Sequence, residues 1–245
     1  MSDAYRSEEV HLKEIINRLA VTEGWPHNKI PCDYLVVDTE TTGTNTSVDS
    51  IVQIGVCHVR DCKISHEFSE HDYSSFTIKL PRSAFVGKEG AIAVHGIDYE
   101  KSAREGIPPD KAYKLLCDII VEARANGMMI CGHNLYSFDI PILHAELARL
   151  GIPFKFAQNE VLDTAMLVKA MQIGIYPGVG EMSYSYWSRV RGFRAKGVYF
   201  NLDRYCVQRF NLEQYGASKE HAHDAGYDCW LAHLVVQELN KIVEG

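Results

Sequence analysis

Asp38 and Glu40 stand one residue apart at the end of an apolar run, in the stretch DTETTG at 38–43. In an extended strand, residues i and i+2 point to the same face, so the two carboxylates would lie side by side. Read alone, the pair is more simply a solvated strand end. Two further acids are out of place in the same way. Asp139 heads a helical stripe in which Ile142, Leu143, Leu147 and Leu150 follow at +3, +4, +8 and +11. Asp228 heads another, with Leu231, Leu234, Val235, Leu239 and Ile242 at +3, +6, +7, +11 and +14. An acid in the first turn also complements the helix dipole, so neither position alone demands chemistry.

Together, three segments put carboxylate where packing calls for an apolar side chain. Isolated buried carboxylates are costly unless paired or bound to metal, and four brought together repel. Two divalent cations remove that conflict. Hard oxygen ligands suit Mg²⁺ or Mn²⁺, and two such ions about 4 Å apart would stabilise the attacking and leaving oxygens of phosphodiester cleavage. A base is then needed to take a proton from water. His223, five residues before Asp228, is suited to it near neutral pH. His221 competes for the role, and either could be a capping or surface histidine. The His-Ala-His triplet could also be a metal-ligand pair, but no cysteine or histidine partner has a matching spacing.

The elements that must carry these residues can be read from periodicity. Val10, Leu12, Ile15, Ile16 and Leu19 make residues 8–20 an amphipathic helix, and 25–33, with two prolines, a linker. YLVVD (34–38) is a buried strand, 41–50 a turn, 51–59 a second strand and 75–80 a third, the three forming an antiparallel meander. Residues 89–97 form a short helix or turn. Residues 110–127 form a helix with a stripe of Leu115, Leu116, Ile119, Ile120 and Ala123, closed by Asn126-Gly127. A fourth strand occupies 128–134, a helix with Pro141 in its first turn 139–151, a strand and helix 159–171, and a terminal helix starts near His223. Residues 172–200 lack clean periodicity and mix five glycines with four tyrosines, Trp187, Arg189, Arg191, Arg194 and Lys196. Such a stretch is either a loosely packed surface insertion or a surface for single-stranded nucleic acid. Strands first and helices later point to one mixed α/β domain.

Bulk properties fit that reading. The 245 residues are 46% apolar and 23% charged, with a net charge of −7. The charge argues against a non-specific nucleic-acid coating protein but not against an enzyme whose acids hold metal. No run of apolar residues is long enough to span a membrane, and the acidic first 25 residues do not resemble a secretory signal. Seven cysteines without a Cys-x-x-Cys pair suggest reduced thiols and an intracellular, cytoplasmic setting.

Three motifs occur in order: VVDTETTG (36–43), GHNLYSFDIPIL (132–143) and HAHDAGYD (221–228). With AVHGI (93–97) and the Asp-Thr step at 163–164, they resemble the DnaQ-like 3′→5′ exonucleases, the DEDD superfamily. The resemblance covers residues 33–243. It implies an RNase H-like fold, with a mixed central sheet of meander and parallel strands flanked by helices. It divides the chain into an N-terminal helix and linker (1–32) and an exonuclease domain (33–245) carrying the insertion at about 172–200. His223, five before the last Asp, resembles the DEDDh branch; Asp224 stands where the other branch has Tyr. The resemblance implies that Asp38, Glu40, Asp139 and Asp228 ligate two divalent metal ions and that His223 is the base. It implies that Thr41 lies near the terminal nucleotide and that Val94, His95 and Gly96 line its pocket. Asn134 would contact the terminal unit or orient the second metal site, and Phe138 would stack or wedge against a base. AVHGI and GHN look most like the proofreading epsilon type, which favours single-stranded or frayed DNA 3′ ends. RNA, as for RNase T or oligoribonuclease, and a non-cleaving binding module are the alternatives. The N-terminal helix, outside the usual pattern, is read either as packing or as a contact for a partner or second copy.

Overall fold

Alternation along β1 (Tyr34–Thr41) decides what lies on each side of the sheet. Tyr34 and Val36 face one apolar cluster, Leu35 and Val37 the other. The structure, a computed structural model, describes residues 3–24, 29–62, 74–212 and 223–244. β1 pairs antiparallel with β2 (Ile51–Val59), which pairs antiparallel with β3 (Ser74–Thr77). On its other side β1 runs parallel to β4 (Met129–Gly132), and β4 parallel to β5 (Val161–Asp163). The five-stranded order is β3-β2-β1-β4-β5, so β1 is central. The mixed α/β sheet expected from sequence is present, meander included.

One face is covered by α1 (Asp3–Glu23), α6 (Thr164–Ile173), α7 (Ser183–Gly192), α8 (Leu202–Arg209) and α9 (Ala225–Glu244). The other is covered by α4 (Pro109–Ala125) and α5 (Asp139–Arg149), with the short α2 (Glu89–His95) and α3 (Tyr99–Glu105) beside them. α9 lies across β1 and β2 and is buried almost all round, as a helix walled by a sheet and other helices must be.

Several expectations need correction. The third strand is shorter than 75–80: the Ile78 amide still donates to the Val52 carbonyl of β2 at 2.8 Å, but from there the chain turns to Ile107, whose carbonyl accepts the Lys79 amide at 2.8 Å, and the Leu80 amide donates to Ser102 Oγ at 3.0 Å. Val10, Leu115 and Leu150 are exposed, so the buried stripes are narrower than drawn. α1 starts earlier than residue 8, and Leu12, Ile15, Ile16 and Leu19 are fully buried against the sheet-covering helices. Its apolar face therefore faces the core. The stretch 172–200 is not loose: α7 buries Tyr186, Trp187 and Val190. Their spacing of one and four residues was masked by the exposed aromatics around them. No helix among the described residues is long and apolar enough to cross a membrane.

Candidate active site

The acids meet at the C-terminal end of β1, where helices from both faces of the sheet converge. Asp38 and Glu40 share the side of β1 on which α9 lies. Asp228 comes from the first turn of α9, and its oxygen, one of Glu40 and a ring nitrogen of His223 lie within 4.8 Å of one another. Asp139 reaches the site from the opposite face, at the N-terminus of α5. Its Oδ1 accepts the Thr39 hydroxyl at 2.7 Å, from the next residue of β1. Asp38, Asn134, His223 and Asp228 line a cleft of about 270 Å³ with His133, Phe200, Asn201, Leu202 and Asp203.

Three local devices set these positions. First, β2 carries Gly55 opposite Asp38. A Cβ there would lie 2.1 Å from the Ala225 carbonyl oxygen, so the missing side chain lets α9 touch the strand. Second, Gln53 clamps the start of α9: its Nε2 donates to Asp224 Oδ2 at 2.7 Å and its Oε1 accepts the Ala225 amide at 3.0 Å. Asp224 in turn caps the helix through the Gly226 and Tyr227 amides. Third, the fully buried Asp163 accepts the Asn134 and Tyr136 amides at 3.0 Å each, and caps α6 through Met166. That is the structural part played by the Asp-Thr step. A register shift between Glu40 and Thr41 leaves a bulge beside the site. Asn134 and His223 both hold positive φ, 77° and 64°, a costly conformation for non-glycine residues that collects at functional sites.

The electrostatics are those of a site that wants cations. Burial, then repulsion from Asp139 and Asp228, pushes Asp38 well above the usual carboxylate range. Burial and the Asp38 charge push Glu40 up to about 9. Burial raises Asp139 to about 7 against the opposing Thr39 hydrogen bond. Burial and Glu40 push Asp228 well above its ordinary value. Asp228 Oδ1 is buried with no hydrogen-bond partner among the described residues. A buried carboxylate oxygen left bare beside other acids is what a divalent cation satisfies. The oxygen-rich donor set therefore fits Mg²⁺ or Mn²⁺. Asp38 and Asp139 lie beside the close trio of Glu40, His223 and Asp228 without joining it at 4.8 Å.

The remaining sequence candidates fall around this centre. His95 accepts the Ile97 amide through Nδ1 at 3.0 Å, which leaves Nε2 to donate to the Thr41 carbonyl at 3.2 Å. Burial lowers its pKa, so the neutral ring ties the end of α2 to the end of β1. Thr41 is buried and its hydroxyl donates to the Gly43 carbonyl at 2.7 Å. Gly96 ends α2 at φ 69°. Val94 is exposed and borders a separate hollow with Thr42, Gly43, Asp49 and Lys88. Phe138 is half-buried and belongs to neither apolar cluster, so it is not core. His221 lies outside the described residues.

Sequence reading missed Asp203, whose Oδ2 lies 3.6 Å from His223 Nε2. No periodicity marks α8, and only its Asn201 cap signals a helix start. Thr39 was missed too. Thr39→Val would remove a buried hydrogen bond to a carboxylate, so stability should fall by about 1–3 kcal/mol and Asp139 should titrate higher still; chemical denaturation and carboxyl NMR titration read both. A larger hollow of about 600 Å³, lined by His144, Leu147, Phe154 and Phe156, lies at the other end of α5. It contains none of the site carboxylates.

No protein-family model matches the chain. Solved structures do. Exonuclease I of E. coli in complex with a dT13 oligonucleotide aligns at TM-score 0.56 and 17% identity, over 85% of this chain and 41% of that one. The zinc-bound E. coli exonuclease I–ssDNA complex aligns at 0.53 and 17%, over 87% and 42%. A moderately thermophilic exonuclease I from Methylocaldum szegediense aligns at 0.53 and 18%, over 87% and 42%. The chain spans less than half the length of these matched chains. It shares with exonuclease I an RNase H-like α/β fold, a mixed five-stranded sheet flanked by helices.

Proposed function

We propose that the chain is a divalent-metal-dependent 3′→5′ exonuclease of the DEDDh type. It hydrolyses the terminal phosphodiester of single-stranded or frayed DNA and releases nucleoside 5′-monophosphates. The observation that carries the reading is the convergence of Asp38, Glu40, Asp139 and Asp228 on one strand end, with pKa values raised by burial and mutual repulsion and with an unpartnered Asp228 oxygen. The exonuclease I neighbours, bound to DNA oligonucleotides, support DNA as the substrate class.

Asp38, Glu40, Asp139 and Asp228 would hold two Mg²⁺ or Mn²⁺ ions, which when bound supply Lewis-acid stabilisation of the phosphoryl oxygens. The chain's own residues do the rest. His223, at the mouth of the cleft, takes the proton from the attacking water. Asp203 Oδ2 stands 3.6 Å from its Nε2. Thr39 orients Asp139. Asn134, held at positive φ by Asp163, presents its side chain to the terminal nucleotide from the cleft wall. Val94, His95, Gly96 and Phe138 do not line that cleft; the family resemblance alone assigns them to the sugar and base of the terminal nucleotide. Thr41 acts indirectly, through the carbonyl that seats His95.

A 5′-labelled DNA oligonucleotide incubated with Mn²⁺ should shorten as a ladder from its 3′ end, and the matched RNA should be cut more slowly. His223→Ala should slow cleavage by about 10²–10⁴-fold, the usual contribution of a general base. Faster digestion of RNA would transfer the reading to an exoribonuclease. Intact strands with both metals would leave a non-cleaving binding module.

A further inference from the structure

Residues 183–200 contain no Asp or Glu but four cations, Arg189, Arg191, Arg194 and Lys196, in a chain of net charge −7. The structure shows how this segment is mounted. α7 is fixed from beneath by fully buried Tyr186 and nearly buried Trp187, and the Tyr186 hydroxyl donates to the Ile175 carbonyl at 2.8 Å. Buried Lys169 donates to the Arg191 carbonyl at 2.8 Å, closing the C-terminal end of the helix. What remains outside is a second stripe, Tyr184, Ser188 and Arg191, spaced by four and three residues and all exposed. These three line a small depression with Tyr136 and Ser137, and the Tyr136 and Tyr184 rings meet edge to face at 6.0 Å.

This depression adjoins the cleft at both ends of the chain segments that build it. Tyr136 and Ser137 follow Asn134, which lines the cleft, in one tight turn closed by the Ser137 amide on the Asn134 carbonyl at 3.1 Å. The α7 segment runs on to Phe200, Asn201, Leu202 and Asp203, which also line the cleft. Arg189 is neutralised by Glu181. Arg191, Arg194 and Lys196 form no ion pair among the described residues. The cleft's 270 Å³ holds about one nucleotide, so a longer strand must continue over a neighbouring surface. The acidic centre offers phosphates no positive charge until metal binds, which makes an adjacent cationic surface the place where strand affinity can arise.

We propose that the α7 face, Tyr184, Ser188 and Arg191 with Tyr136, flanked by Arg194 and Lys196, is the track on which the single DNA strand rests as its 3′ end enters the cleft. The proposal rests on the nuclease reading for its direction, but its test does not need cleavage. Exposed Tyr184, backed edge to face by the partly buried Tyr136, offers a ring for base stacking, which tolerates any sequence, and the cations take the phosphates. Strand preference would then depend on length rather than on bases.

The test is fluorescence anisotropy of the full chain in EDTA with a labelled oligothymidylate of about 16 nucleotides, the upper end of a single site. Wild type is compared with Arg191→Ala and Tyr184→Ala, both exposed positions that leave the buried face of α7 intact. Tyr184→Ala should weaken binding at least about 5-fold, the low end of one stacked base. Arg191→Ala should weaken it and make the slope of log affinity against log salt shallower by about 0.7. Binding of a dinucleotide should change in neither variant. Unchanged affinity and salt slope in both variants would overturn the track, and so would rescue of Arg191→Ala binding without Arg or Lys at that position. A wild type that binds through these residues yet cuts nothing would leave the track standing and remove the nuclease reading. A wild type that cuts while ignoring both substitutions would do the reverse.

Discussion

Asp38→Asn is expected to abolish metal-dependent cleavage, by about 10³-fold or more, while making the metal-free protein more stable above neutral pH. The loss follows from removing one carboxylate of the set proposed to hold charge-stabilising cations, an effect of several kcal/mol on the transition state. The gain follows from the raised pKa values. Asp139 is pushed to about 7 and Glu40 to about 9, with Asp38 and Asp228 also raised. A carboxyl whose folded pKa exceeds its unfolded one binds more protons in the native state. Stability without metal must therefore fall as pH rises from about 4, the unfolded carboxylate value, toward 9. Asn at position 38 removes one charge from this repulsion and flattens the fall.

Divalent cation should reverse the same trend. At roughly 100-fold over its Kd, a ligand confined to the native state adds about 2.7 kcal/mol, which in a domain of this size is about 5–10 °C in Tm. The increment should be larger near pH 8 than near pH 6, because protons and cations compete for the same oxygens. Thermal unfolding across that range in EDTA and in Mn²⁺, for wild type and Asp38→Asn, reads all of this. Wild-type stability that rises with pH in EDTA, or a Tm that ignores Mn²⁺ while Asp38→Asn cleaves normally, would contradict the metal-site account.

How much of this was legible in the residues depends on the kind of signal each one carries. Asp139 and Asp228 were legible because each interrupts a strong 3.6-residue pattern, and Asp38 and Glu40 because a period of two puts both on one side of β1. The mixed sheet followed from β-branched runs separated by turn residues. What stayed hidden was contact between segments far apart in sequence. Gln53 reads as a polar residue in a strand, yet it fastens the start of α9 from a distance of 171 and 172 residues. Asp203 sits in a short helix with no apolar rhythm. α7 was invisible because its exposed Tyr184 and Arg191 and its buried Tyr186 and Trp187 present one mixed composition, and only the fold separates the two faces. Thr39 lies on the side of β1 opposite Asp38, so nothing in the strand pattern tied it to the acids.

Gly55→Ala should damage the site more than its one added methyl suggests. The new Cβ would lie 2.1 Å and 2.2 Å from the Ala225 carbonyl oxygen and carbon and 2.6 Å from the Gly226 amide nitrogen. All three are backbone atoms, so no side-chain rotation relieves the clash, and either α9 lifts or β2 recedes. Overpacking of this kind costs about 1–3 kcal/mol, or roughly 2–12 °C in Tm for a domain of this length. The chemical effect comes from where the strain falls. Ala225 begins the helix that carries Asp228, Asp224 caps it, and His223 precedes it at a positive φ. A shift of about 1 Å there moves His223, the proposed base, and Asp228 relative to Asp38 and Glu40, and misplacements of that size cost about 10²-fold in rate. Cleavage is compared well below both Tm values, so that unfolding is not what is read. Gly90→Ala, in α2 with open space around it, is the stability control and should hold or raise Tm, because alanine favours the helix by about 0.5–1 kcal/mol. A Gly55→Ala protein with wild-type Tm and wild-type cleavage would mean that the closeness of α9 to β2 does not set the geometry of the acids.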